Sequence, residues 1–416
     1  MLEFSSPSAE LLTARPLHEP SEAFQMFASE LTRQAVRPPG EDRAIGAMCL
    51  AALQELQLGG PLCNAAEDLL TVRAQESPSN QVGDFRAVVQ TEVLSDHPEF
   101  PANDAYEQPE IWREPLQALG ERYAATSFDT TDEELRSERL TYNLLFRKVQ
   151  TDVATRALPV EYIMQSRAER FQDGVRWLNI GCGIMEGQSY LLNKSIHDLP
   201  PLTVVNTPDD RAATRKLKAL LERPSLISES IGIDIADAFD ANTYTWSRGS
   251  LRPSELKNKS FIQRFDALAP CRGALDDSRL QPAFFRGDIL SDSDMAEFTA
   301  VHGDKKFQLV SALTMLHQLT DGDNTNKERQ KLLERGRELL TDDGILLISD
   351  FAWLAPKARA PRQLNFYRHW HEPFRYRSFI WDASEPEAGL QEILRSKNSR
   401  CDIFQIIDKV FDKLAI

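Results

Sequence analysis

The feature that most constrains this chain is the run Val175-Arg176-Trp177-Leu178-Asn179-Ile180-Gly181-Cys182-Gly183-Ile184-Met185-Glu186-Gly187, in which an apolar stretch leads straight into a Gly-x-Gly turn. A buried strand followed by glycines and a helix start is how an α/β sheet makes a nucleotide-shaped crevice. The glycines bend the backbone and admit a ligand where a Cβ would block it, and the helix presents free N–H groups at its start. A Gly-x-Gly alone also occurs in ordinary tight turns, so its meaning depends on the segments C-terminal to it.

Four further apolar segments lie there. Ser230 to Ile235 is a short strand carrying Asp234 near its end, the residue type that accepts hydrogen bonds from both hydroxyls of a ribose. Phe284 to Ile289 is another short strand with an acid, Asp288, and Phe307 to Leu313 is apolar and leads to Met315-Leu316-His317. Arg335 to Leu340 closes a helix, Asp342-Asp343-Gly344 turns, and Ile345 to Asp350 makes a fifth buried strand. Strands alternating with helical segments predict an α/β fold with a doubly wound, mostly parallel sheet. Beyond them, Arg377 to Trp381 reads as a strand, Glu385 to Lys397 as a helix and Asp402 to Asp408 as a last strand.

From about Phe171 to the C-terminus, these segments in this order resemble the class I S-adenosylmethionine-dependent methyltransferases, a Rossmann-like fold with a seven-stranded sheet whose last strand runs antiparallel at the edge. Leu178 to Gly183 resembles the family's glycine-rich first motif, Gly232 to Ile235 the end of its second strand, Gly287-Asp288-Ile289 its third motif, and Phe307 to Leu319 its fourth strand and trailing histidine. Leu340 to Asp350 is similar to its fifth strand. The resemblance implies S-adenosylmethionine as cofactor. Gly181 and Gly183 would lie under its methionine part, with Asn179, Cys182 and Gly187 completing the loop. Asp234 would hold the ribose hydroxyls with Ile235 beside it, Asp288 and Ile289 would flank the adenine, and Ser311 would lie near the methionyl end.

The chain departs from the family pattern in three places. Asn179 stands where many members carry an acid, Met185 stands where many carry a third glycine, and the connection from Gly187 to Ile231 exceeds a single crossover helix and reads as an insertion. Two other function classes therefore stay open: a catalytically silent cofactor-binding or interaction protein, and an NAD(P)-dependent oxidoreductase. Against the second, the glycine spacing is longer than G-x-G-x-x-G, and Glu186 would meet a pyrophosphate with like charge.

Candidate acceptor-side residues are His317, a general base after the fourth strand, and His369 and Tyr367, within the aromatic and basic stretch Asn365 to Arg377. That stretch reads equally as a binding surface or as an interface patch over the sheet edge. His369 and His371 flank one Trp and lack nearby acids, so no metal site is expected.

The chain carries 416 residues and a net charge of -15, which disfavours nucleic acid and anionic membranes as partners and leaves a small-molecule or peptide acceptor. Its five scattered cysteines fit a reducing compartment. The first residues carry Glu3, Glu10 and Glu19 and no basic start followed by an apolar core, and the longest apolar stretch is too short for a bilayer, so a cytoplasmic protein is expected.

Residues 1–158 read as a mainly helical region, a cap or dimerisation element, ahead of a methyltransferase domain at 159–416. Ser21 to Val36, Glu41 to Leu58, Leu62 to Arg73 and Ile111 to Tyr123 have helical character, Gln75 to Asp84 reads as a polar loop, and a long helix from the capping box at Thr131 ends before Pro159.

Overall fold

The computed structural model describes residues 20–38, 42–72, 78–96, 104–125, 154–193, 219, 222–251, 253–269, 281–316, 319, 325–351, 376–396 and 404–406. The chain forms two compact units, one made of Met1–Thr151 with Thr245–Ile262, the other of Asp152–Tyr244 with Gln263–Ile416. The first division falls at 151/152, ahead of the 158/159 boundary read from the sequence. Residues 245–262, assigned by the sequence to the second domain, belong to the helical unit.

The helical unit contains α1 (Glu22–Val36), α2 (Arg43–Leu58), α3 (Pro61–Val72), α4 (Pro78–Asp96) and α5 (Glu110–Ala125). Ser21 caps α1 by accepting from the Phe24 N–H at 3.2 Å, and α2 ends at Gly59 with φ 67°, a left-handed C-cap that glycine adopts without penalty. The polar loop expected up to Asp84 is instead helix from Pro78. Pro78 and its Ser and Asn neighbours read as a turn, yet proline suits a first helical turn, and Gln81, Val82, Asp84, Phe85, Ala87 to Gln90 are all buried. A helix covered on several sides carries little amphipathic signal. Gln90 then donates to both Gly249 O and Leu251 O, at 2.8 and 2.9 Å, which ties the segment Thr245–Ile262 into this unit.

The second unit begins with α6 (Leu158–Ser166), whose first turn accommodates Pro159. The residues before 154 in the predicted long helix lie outside the described residues. Eight strands form one sheet in the order β3-β2-β1-β4-β5-β6-β7-β8. They are β1 (Val175–Ile180), β2 (Ile227–Asp234), β3 (Ala283–Arg286), β4 (Phe307–Leu313), β5 (Leu340–Phe351), β6 (Tyr376–Asp382), β7 (Gln391–Ser396) and β8 (Phe404–Ile406). β3, β2, β1, β4 and β5 are mutually parallel, whereas β6, β7 and β8 form an antiparallel meander on the β5 edge.

All seven expected strands are present, joined by an eighth, β7, where a helix over Glu385 to Lys397 was expected. Its Glu, Leu and Gln residues favour a helix, but Gly389 adopts φ 66° and Leu394 to Ser396 pair with β6 on one side and β8 on the other. Pairing outweighs propensity there. The expected turn at Asp342 to Gly344 is an irregularity within β5, where the register with β4 jumps from Phe307↔Leu340 to Leu309↔Ile345.

Alternate residues of the parallel strands feed two cores. Trp177, Leu309, Ile345 and Leu347 lie with Leu158, Tyr162, Ile163 and Tyr190 on one face. Leu178, Val310, Leu346 and Ile348 lie on the other, with Met295 and Phe298 of α8 (Asp292–His302) and Leu332 of α9 (Thr325–Glu338), counting the sheet unit's helix Glu186–Leu192 as α7. Both faces are covered, which is why these strands read as continuous apolar runs rather than alternating ones.

Candidate functional site

The order of the parallel strands reverses direction between β1 and β4. Chain leaving β1 winds to β2 and β3 on one side, then crosses to β4 on the other. At such a switch point the loops beyond the carboxyl ends of the two central strands diverge and leave a crevice. The glycine-rich loop after β1 and the turn after β4 both lie there.

Gly181 and Gly183 take φ 68° and 56°, and between them the chain turns back on β2: the Gly181 and Cys182 N–H groups donate to Ile233 O at 2.8 and 3.4 Å. Met185 adopts the same left-handed conformation, φ 57° and ψ 24°, immediately before α7 (Glu186–Leu192). A long side chain in this region carries a strain of order 1 kcal/mol, which persists only where surrounding contacts fix it. Here the Met185 side chain is fully buried with Cys182 and Ala238, and a Cβ at Gly232 would fall 2.6 Å from Cys182 Sγ and 2.9 Å from Met185 Sδ.

Asp234 closes β2. Its Oδ2 accepts from the Gly183 N–H at 2.9 Å and its Oδ1 from the Ala236 N–H at 3.0 Å, so the acid binds the glycine loop to its own strand. Burial pushes its pKa up, against the downward pull of the Ala236, Gly183 and Ile235 N–H groups. Three backbone N–H groups thus draw on the four acceptor positions of the carboxylate, and one is left over. Two large apolar side chains stand exposed beside it, Ile235 at 68% and Phe239 at 44%, the latter edge-on to Phe284 at 6.0 Å.

After β3, Asp288 Oδ1 accepts from the Leu290 N–H at 2.8 Å, and the Asp288 N–H donates to Asp294 Oδ2 at 2.8 Å. Among the described residues none donates to Asp288 Oδ2. Ile289 is 2% exposed and its side chain belongs to the core.

Asn179 and Ser311 lie beneath the loop rather than at its surface. Trp177 Nε1 donates to Ser311 Oγ at 2.8 Å, Ser311 Oγ donates to Asn179 Oδ1 at 2.9 Å, Asn179 Nδ2 donates to Gln188 Oε1 at 3.3 Å, and Gln188 Nε2 donates to Ser230 Oγ at 2.7 Å. This buried relay joins β4, β1, α7 and β2 under the glycines and satisfies each member. Gln188 was not apparent from the sequence, because nothing in its local pattern marks a partner nine positions back. Gly187 lies within α7, buried. His317, Tyr367 and His369 lie outside the described residues, and among the described residues no His, Cys, Asp and Glu group could hold a metal ion.

A cavity of about 350 Å³ opens elsewhere, between α8 (Asp292–His302) and α9 (Thr325–Glu338), lined by Met295, Thr299, Lys306, Arg335 and Leu339. Its charges are paired with one another, Arg335 with Asp292 and with Glu338 at 3.0 Å, and it lies away from the strand ends that carry the glycine loop.

No family model and no curated relative matches this sequence. Among solved structures, the chain is similar to the plantazolicin methyltransferase BamL in complex with a triazolic desmethylPZN analog and SAH, at 13% identity and a TM-score of 0.25, over 65% of this chain and 58% of that one. It is similar to SAM-bound CalS10, an amino pentose methyltransferase from Micromonospora echinaspora, at 13% identity and 0.24, over 63% and 81% of the two chains. It is similar also to the CurJ carbon methyltransferase, at 16% and 0.27, over 82% and 76%. The match thus spans little more than half the length of BamL.

Proposed function

We propose that this chain is a class I S-adenosylmethionine-dependent methyltransferase that methylates an O or N atom of a small molecule or a peptide side chain. The observation that supports it most directly is Asp234. It stands at the carboxyl end of the strand beside the switch point, hydrogen-bonded to Gly183, with acceptor capacity left on its carboxylate and exposed apolar side chains next to it. A carboxylate acceptor suits a ribose hydroxyl, and Ile235 with Phe239 supplies the apolar wall that a flat base needs. Asp288 Oδ2 suits an exocyclic amine.

The cofactor supplies a methyl group on a sulfonium, already activated for in-line transfer. The chain's own part is to hold and orient it. In this reading Asp234 and Asp288 grip the nucleoside, Gly181 and Gly183 give close backbone approach, and the Trp177–Ser311–Asn179–Gln188–Ser230 relay fixes the loop from below. Orientation of this kind is worth several kcal/mol of barrier without any proton transfer. Where the acceptor atom carries a proton, His317, Tyr367 and His369 are the candidates to take it. The helical unit acts as a cap or dimerisation element. The net charge of -15 supports an acceptor other than nucleic acid, in a cytoplasmic setting.

Calorimetric titration with S-adenosylmethionine, and separately with NADH, tests the reading. Micromolar binding of the methyl donor that Asp234→Ala abolishes is expected. Binding of NADH in its place, or of neither, would remove it.

A further inference from the structure

Among the described residues only Met185 and Thr314 combine a side chain with a positive φ. They flank the switch point from opposite sides, Met185 after β1 and Thr314 after β4. Thr314, at φ 61°, is the more costly of the two, because a β-branched side chain in the left-handed region crowds its own backbone. Such a residue persists only where its surroundings over-determine it, and strain held in this way concentrates at ligand sites.

The surroundings of Thr314 do over-determine it. Its N–H donates to Ser349 O at 2.7 Å. Tyr376 Oη donates to the same carbonyl at 2.8 Å, and since a phenol has one proton, the 2.5 Å contact between Thr314 Oγ1 and Tyr376 Oη has the threonine as donor. Tyr376 is wholly buried and Thr314 is 6% exposed. From the other side, Arg329 Nε donates to Leu316 O at 3.1 Å, fixing the turn two residues on. Between these anchors sits Met315, and its side chain lies directly over the glycine loop: a Cβ at Gly181 would fall 2.5 Å from Met315 Sδ.

We infer that Thr314 and Tyr376 form a positioning clasp that holds Met315 over Gly181 and so shapes the end of the crevice that receives the amino-acid arm of the methyl donor. The inference rests on the methyltransferase reading. It assigns the strain to one end of the ligand, so it can be separated from a general structural role by comparing two ligands. S-adenosylmethionine reaches both ends of the crevice; 5′-methylthioadenosine keeps the nucleoside and lacks the amino-acid arm.

The experiment measures both affinities by calorimetry in the wild type, Tyr376→Phe and Thr314→Gly, with thermal melts alongside. Thr314→Gly guards against a misfolded tyrosine variant, because glycine takes φ 61° freely. The expected result is about a tenfold loss of S-adenosylmethionine affinity in each variant, the order of one lost buried hydrogen bond, with 5′-methylthioadenosine changed less than about twofold. Equal weakening of both ligands, or of neither, overturns the clasp. A wild type that binds no S-adenosylmethionine overturns the methyltransferase reading and the clasp with it, whereas a wild type that binds with an unchanged ratio in the variants overturns the clasp alone.

Discussion

Two carboxylates at opposite edges of the same sheet show how this fold divides its labour. Asp234, at the carboxyl end of β2, is held by backbone N–H groups, and burial pushes its pKa up. Asp382 ends the antiparallel strand β6, opposite Ile345 at the start of the buried part of β5, and so lies at the amino-terminal edge of the parallel strands. Its oxygens accept from Arg170 at 2.9 and 3.0 Å, from the Ser384 N–H at 3.0 Å and hydroxyl at 2.7 Å, and from Arg167. Burial alone would raise its pKa, but the hydrogen bonds from Arg170, Ser384 and Arg167 outweigh it and bring the value down to about 2. The acid at one edge is saturated and serves stability. The acid at the other keeps acceptor capacity and, among the described residues, pairs with no cation, which is the condition for meeting a neutral diol. The pKa directions report that difference.

The comparison breaks most visibly at Asp382. Asp382→Ala strands two largely buried arginines, and a loss of about 3–5 kcal/mol is expected in chemical unfolding of the sheet unit. Asp234→Asn has a different signature: the desolvated charge disappears, one acceptor oxygen facing a backbone N–H becomes a donor, stability changes by no more than about 1–2 kcal/mol, and S-adenosylmethionine affinity falls about thirtyfold, near 2 kcal/mol for hydrogen bonds to a charged group. Calorimetry beside thermal melts on that variant separates the two roles. If Asp234→Asn lost stability and kept affinity, the division of labour would be wrong.

Acid titration sharpens the same contrast. Asp382 has a depressed pKa, so its contribution is full above the ordinary carboxylate value and fades between roughly pH 4 and pH 2, by about 1–2 kcal/mol after solvent screening. Asp234 has a raised pKa, so its protonation begins at higher pH and favours the free fold over the complex. Donor affinity is therefore expected to decline on acidification before stability does, and the decline should vanish in Asp234→Asn. The sulfur-lined contact at Gly232 supplies a smaller and more local test: Gly232→Ala forces Cys182 and Met185 to move, with a loss of about 1–3 kcal/mol in stability.

Much of the sheet was legible because its signals are local. Apolar runs at β1, β2, β4 and β5 are what a doubly covered parallel sheet requires of its strands. Gly181, Gly183 and Asp234 are brought together by the turn of the loop on β2 and the Gly183 N–H bond to Asp234. Asn179 and Ser311 do not reach the surface of the loop; they lie beneath it, paired with each other, and Ile289 faces the core. The helix α4 and the strand β7 were missed for opposite reasons. α4 is buried on too many sides to show one apolar stripe, and β7 has helical composition overruled by neighbours on both edges.

By itself, then, the sequence determined that this chain builds a twisted α/β sheet with a glycine loop and an acid at adjacent strand ends, because strand burial and turn chemistry are written within a few residues. Only the tertiary structure decided that Met185 could take a glycine's conformation, that Thr314 would be held in a strained turn by Tyr376 from a strand 62 residues later, and that residues 245–262 would join the helical unit. Each of these depends on partners distant in the chain, whose contacts outweigh a local preference of about 1–3 kcal/mol.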